Sequence, residues 1–114
     1  MIEQSHVDNF ILCLQEQRFF DAHEALEEVW FPRRYEKGES RDELLLIKGL
    51  INAAVSFELI KRGRKKSSVK VWNNYLKYIV LLQTINSSAY PHYITIKKYV
   101  ENLHINQDET IIAL

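Results

Sequence analysis

The chain has 114 residues, 46% hydrophobic and 26% charged, with three Gly and two Pro. That is one domain's length, long enough to bury a core without disulfide or metal. So few turn residues exclude a many-turned β-sandwich and a collagenous or disordered chain. Fifteen basic and fifteen acidic residues cancel, which removes any global pull towards nucleic acid or an anionic membrane.

The charges are nevertheless segregated. Residues 21–30 hold Asp21, Glu24, Glu27 and Glu28 with no Lys or Arg, whereas residues 61–70 hold Lys61, Arg62, Arg64, Lys65, Lys66 and Lys70 with no acid. Cys13, the only cysteine, excludes an internal disulfide and suits a reducing compartment. Set near Phe10 and Leu14, it reads as a buried thiol rather than a nucleophile. Met1 to His6 show no basic-then-apolar signal pattern. Apolar runs such as Leu44 to Ile47 fall well short of the ~20 residues of a membrane helix. A single soluble, cytoplasmic domain over 1–114 is expected.

In chain order, Val7, Phe10, Ile11 and Leu14 follow the i, i+3, i+4, i+7 pattern of an amphipathic helix, with Ser5 as its N-cap and a span of about Ser5 to Gln17. Asp21, with Glu24 three residues on, is read as the cap of helix two. Ala22, Leu26, Val29 and Trp30 form its stripe, and Pro32 ends it. After a polar loop over Arg33 to Glu39, Ser40 and Glu43 spell a capping box. Helix three, about Arg41 to Arg62, is apolar nearly all round and is therefore expected to be central. Its Gly49, Ala53 and Ala54 permit close backbone approach, and Gly63 stops it. Ser67 or Ser68 would cap helix four, whose apolar face is Val69, Trp72, Tyr75, Leu76 and Ile79. Asn86, Ser87 and Ser88 mark a loop. Helix five spans about Tyr93 to Leu103 on Ile96, Val100 and Leu103, and an apolar tail, Ile111 to Leu114, is expected to pack back on the body. No internal repeat or low-complexity segment is present.

The chemistry concentrates in Phe20 to Trp30, FDAHEALEEVW. His23 and Glu27, four apart, share a helix face, Trp30 lies one turn further on, and Glu24 and Glu28 form the adjacent row. An imidazole beside a carboxylate at the edge of a buried stripe can move protons or contribute two metal ligands. It can also be a purely structural pair. Zinc asks for at least three protein ligands, and no third adjoins in sequence, so a divalent metal is disfavoured. His23, Glu24 and Glu27 are the candidate catalytic residues. On helix three, Lys48, Asn52 and Ser56 recur at i, i+4, i+8. A polar row on a greasy helix must find partners or solvent, and Glu24 or Glu27 meeting Lys48 is the expected pairing. Trp30, Lys48 and Asn52 are thus candidate ligand-binding residues. The basic 61–70 run lacks interleaved aromatics and any reader motif, so it reads as a solvated loop, and Trp72 and Tyr75 read as core.

FDAHEALEEVW followed by LLLIKGLINAAVSFELIKRG resembles the bacterial and archaeal family called domain of unknown function 309. The resemblance rests on Phe20, His23, Glu24, Glu27 and Trp30, then on Gly49, Leu50, Ile51, Asn52, Ala53 and Ala54, and covers about Gln17 to Gly63. Where that family often has Gln, this chain has Lys48 and Asn52. The resemblance implies an all-helical bundle and no particular activity.

The sequence therefore predicts a compact all-α bundle of about five helices with helix three central. Its leading functional reading is a small-ligand or enzymatic site between helices two and three. In that site His23 is hydrogen-bonded to a glutamate and within reach of Lys48 or Asn52. The alternative is a non-catalytic interaction or oligomerisation module in which the motif is structural, and nucleic-acid binding through the 61–70 loop comes third. The partner would be a small molecule or a protein, a second copy of the chain included, and not a membrane.

Overall fold

A computed structural model describes the backbone of residues 1–113 and the side chains of residues 1–107. The described residues form five helices, α1 (Gln4–Gln15), α2 (Phe19–Trp30), α3 (Arg41–Lys61), α4 (Lys65–Ile79) and α5 (Tyr90–Ala113), with 3-10 turns at Phe31–Arg33, Gly38–Ser40 and Val80–Gln83. No strand occurs among the described residues, and no helix among them is long and apolar enough to cross a membrane. The first four helices pack chiefly on their neighbours in the chain, α3 most extensively on α4 and then on α2, while α5 lies against α1 and α3.

Two helix ends close by the same device. At the end of α3, Gly63 takes φ +75°, its N–H donates to the Ile60 carbonyl and the Arg64 N–H to the Leu59 carbonyl. That is a Schellman turn, built on the left-handed conformation glycine adopts without penalty. At the end of α1 the same pair of bonds runs from Gln17 to Leu14 and from Arg18 to Cys13, but here the left-handed residue is Gln17, at φ 57°. This turn moves the helix boundaries away from those expected. It stops α1 at Gln15 and lets α2 begin at Phe19, so Asp21 lies inside the first turn, accepting from Arg18, and is not the cap. α1 also starts one residue before Ser5, because the Glu3 N–H donates to the His6 ring and sets the cap there.

Three other caps differ from the sequence reading. Ser40 has helical backbone angles and donates to Glu36, and Glu43 accepts from Tyr93 on α5, so no capping box forms. α4 starts at Lys65, which places Ser68 inside the helix, buried and donating to the Ser56 carbonyl of α3. α5 starts at Tyr90 because the Ser87 hydroxyl accepts the Ala89 N–H, and it continues well past Leu103. The expected packing of Ile111 to Leu114 lies outside the described side chains.

α3 is central, as its all-round apolar pattern requires: Leu46, Ile47, Leu50, Ala53, Ala54 and Phe57 are fully buried. α4 approaches α3 closely at Gly49, where a Cβ would meet Tyr78 Cβ at 2.8 Å. Rings from three helices stack in series, Phe19 to Phe57 at 5.6 Å, Phe57 to Trp72 at 5.9 Å and Trp72 to Tyr75 at 4.5 Å. Aromatic pairs of this spacing contribute beyond the area they bury. Trp72, Tyr75 and Ile79 of α4 are buried as expected, but Val69 and Leu76 are 53% and 44% exposed. At about 100° per residue they fall to one side of the Ser68, Trp72, Tyr75, Ile79 row that faces the core. Cys13 is buried, and burial pushes its thiol above the usual range.

Candidate functional site

α2 presents Ala22, Ala25, Leu26 and Val29 to the core, which leaves His23 and Glu27 at the edge of that face. The helix's own geometry orients the imidazole. Its Nδ1 lies 2.9 Å from the Phe20 carbonyl and its Nε2 3.1 Å from Glu27 Oε1, and the Phe20 ring meets it edge-on at 5.0 Å. A carbonyl oxygen can only accept, so the hydrogen sits on Nδ1. Nε2 is then the nitrogen turned towards the carboxylate, a fixed-ring arrangement that leaves one defined nitrogen for a proton or a ligand. The His23 side chain is 17% exposed and Glu27 42%, so water reaches the carboxylate more freely than the ring.

Beside His23 lies a cavity of about 280 Å³, walled by Phe19 and Phe20 on α2 and by Val55 and Leu59 on α3, with Glu58 and Arg62 at its edge. Those two are paired at 2.8 Å. Here the structure departs from the expected arrangement. No hydrogen bond joins His23 to Lys48 or Asn52, and neither glutamate pairs with Lys48 among the described residues. The helices run antiparallel, so α3 reaches His23 with its last turns and Trp30 with its first. Lys48 is exposed and lies with Trp30 on a separate, wider cleft of about 800 Å³. Asn52, half-buried between the two ends, donates to its own helix at the Lys48 carbonyl, 2.7 Å away. Ser56, third in the same row, is wholly buried and donates to the Ala53 carbonyl. Glu24 is exposed on the adjoining row and makes no ion pair among the described residues.

The structure thus brings His23 and Glu27 together, sets Trp30 and Lys48 together elsewhere, and leaves Glu24 and Asn52 outside both groups. The residues missed from sequence are Val55, Glu58, Leu59 and Arg62. Their signal was the i, i+4 carboxylate–guanidinium pair at the end of helix three, which reads as an ordinary surface pair until the antiparallel register is known. Among the described residues no three of His, Cys, Asp and Glu stand close enough to hold a metal ion together.

Comparison with known proteins places this geometry in context. No curated protein and no solved structure matches the chain. A family model matches residues 7–71, from the first turn of α1 to the first half of α4, and so includes the His23 pair and the lining of both cavities. The chain belongs to that family, the domain of unknown function DUF309.

Proposed function

We propose that the edge of the α2–α3 packing is a small-ligand or acid–base site with His23 at its centre. The observation that carries this reading is the imidazole itself. Its Nδ1 is held by the Phe20 carbonyl, its Nε2 faces Glu27, and the ring forms part of the wall of an apolar cavity. A locked ring nitrogen beside a carboxylate at a cavity wall is the arrangement proton transfer needs, because geometry precedes acidity in such a pair. Glu27 is the partner that receives or returns the proton, and Phe20, Val55 and Leu59 exclude water from one side. Glu24 and Asn52 would act on parts of a ligand extending along the helices, whereas Trp30 and Lys48 line the other cleft. A buried lone thiol supports a reducing, cytoplasmic setting.

The test is two-fold. Elemental analysis of the purified protein looks for a co-purifying metal. NMR of the His23 ring and of the Val55 and Leu59 methyls, recorded against a fragment library, looks for a ligand. The expected result is a set of fragments that shifts all three residues in the parent and none of the methyls in His23→Gln. A cavity that no fragment or metal perturbs would remove the reading.

The exposed row of Val69 and Leu76 on α4 and Val80 in the 3-10 turn after it favours a second reading, a non-catalytic module that docks on another chain through that row while the His23 pair serves packing alone. Concentration-dependent mass lost in Leu76→Lys would support it.

A further inference from the structure

The wider cleft, at the opposite end of α2 from His23, has a lining of a different kind. Its walls carry Arg34, Lys37, Arg41 and Lys48 and no acidic residue, and its apolar surface is mainly aromatic, led by Trp30 and Tyr35. Four like charges converge on one concavity, and none is paired with a carboxylate among the described residues. The one ion pair in the α2–α3 connection joins Arg33 to Glu36 at 3.7 Å, neither of which lines the cleft. Two of the four cations are also positioned. Arg34 lies 3.6 Å above the Phe31 ring and 4.5 Å from the Tyr35 ring centre, its guanidinium donating to the Phe31 carbonyl. Arg41 donates to the Arg34 carbonyl at 3.2 Å, which fixes the connection across the mouth of the cleft. Lys37 and Lys48 are exposed, and among the described residues their ammonium groups have no hydrogen-bonding partner.

We infer that this cleft binds a small aromatic organic phosphate of the nucleotide class, its phosphates held by Arg34, Lys37, Arg41 and Lys48 and its ring laid against Trp30 and Tyr35. Unpaired cations clustered in a concavity repel one another and attract an anion of high charge density. Arg offers the planar fork that suits phosphate oxygens, and Lys adds mobile point charges. Aromatic walls accept a base by stacking, which a bare inorganic anion cannot use. A volume of about 800 Å³ falls in the range of small-molecule sites. The inference is independent of His23, whose cavity is separate, so either can fail without the other.

Calorimetric titration of the full chain with ADP, adenosine and pyrophosphate tests it. ADP is expected to bind at micromolar concentration, at least tenfold tighter than either fragment, and to weaken at least tenfold in Lys37→Gln/Lys48→Gln. Both positions are exposed, so the variant's thermal midpoint should match the parent's. The double variant Lys65→Gln/Lys66→Gln, in the separate 61–70 run, should bind ADP as the parent does. Four results would overturn the proposal: no ADP binding at millimolar concentration, pyrophosphate bound as tightly as ADP, equal weakening in the two double variants, or binding of single-stranded RNA without binding of ADP.

Discussion

The two ends of the α2–α3 packing use their polar groups in opposite ways. In the lining of the His23 cavity the polar side chains are answered within the chain: the imidazole by Phe20 and Glu27, and Arg62 by Glu58. Around Trp30 the cations either lean on rings and carbonyls, as Arg34 and Arg41 do, or reach no partner among the described residues, as Lys37 and Lys48 do. A self-satisfied cluster reveals itself when it is broken, through lost stability. An unsatisfied one reveals itself only when something is added. The two ends therefore call for different measurements, and a stability screen alone would overlook the second.

The largest effect is expected where both ends share a support. Gly49 is buried with Tyr78 Cβ 2.8 Å from where a side chain would start, and Cβ is too close to the backbone to swing away. Gly49→Ala should push α4 off α3 and cost about 3 kcal/mol in chemical denaturation. A variant as stable as the parent would mean that the helices do not approach this closely.

Next is alkaline pH. Tyr93, buried and donating to Glu43, is held well above its ordinary value of 10.0, first by burial and then by that carboxylate. The neutral phenol is the form the fold favours. Its contribution is fully present below the unfolded value near pH 10 and is lost as pH rises beyond it, by about 1.4 kcal/mol per pH unit. Tyr93 ties α5 to the start of α3, so hydrogen exchange at pH 10.5 to 11 should rise first there and not around His23. Tyr93→Phe should flatten this alkaline limb.

His23→Ala comes third, at about 1 kcal/mol, because the half-exposed Glu27 left behind can turn to water. Glu28→Ala, on the neighbouring row, should change stability by less than half of that. Equal losses would remove the distinction between the rows.

How much of this was legible in the sequence depends on whether the signal was local. Helix three announced its central place through Leu46, Ile47, Leu50 and Phe57, and Gly63 announced its end, because periodicity and a left-handed glycine are properties of short segments. The His23–Glu27 bond was legible for the same reason, four residues being one turn. The Glu–Lys48 pairing expected across the helices did not form, because it required the antiparallel register, which sequence spacing does not carry. The boundary of α2 was hidden by Gln17, a left-handed residue that is not glycine. The exposure of Val69 and Leu76 was hidden because apolar spacing gives the width of a stripe but not which edge of it the neighbour covers.

Gln17 supplies a smaller test of opposite sign. It closes α1 in a conformation that costs L-residues energy, and its carbonyl accepts from Lys61, which caps the His23 end from α3. Gln17→Gly keeps that carbonyl and should stabilise the chain by about 0.5–1 kcal/mol, read as a raised thermal midpoint. Smallest of all, Lys37→Gln and Lys48→Gln should each leave stability within about 0.5 kcal/mol of the parent. A larger loss at either lysine would show that the Trp30 end, too, is held by its own charges.

The packing of the first four helices on their sequence neighbours has a consequence for how the molecule is made. Contacts between consecutive elements close short loops, so little chain entropy is lost before they form. Folding of such a chain should be fast, on the order of microseconds to milliseconds. On the ribosome, α1 and α2 can pair as soon as they emerge, and α3 can then join them before α4 is complete. α5, which packs on α1 and α3 and stacks His104 on Trp72 of α4, can dock only after the other four helices have left the exit tunnel. The Tyr93–Glu43 bond, 50 residues apart in sequence, would be among the last to form, and its closure would mark the moment at which the bundle of α1 to α5 is complete.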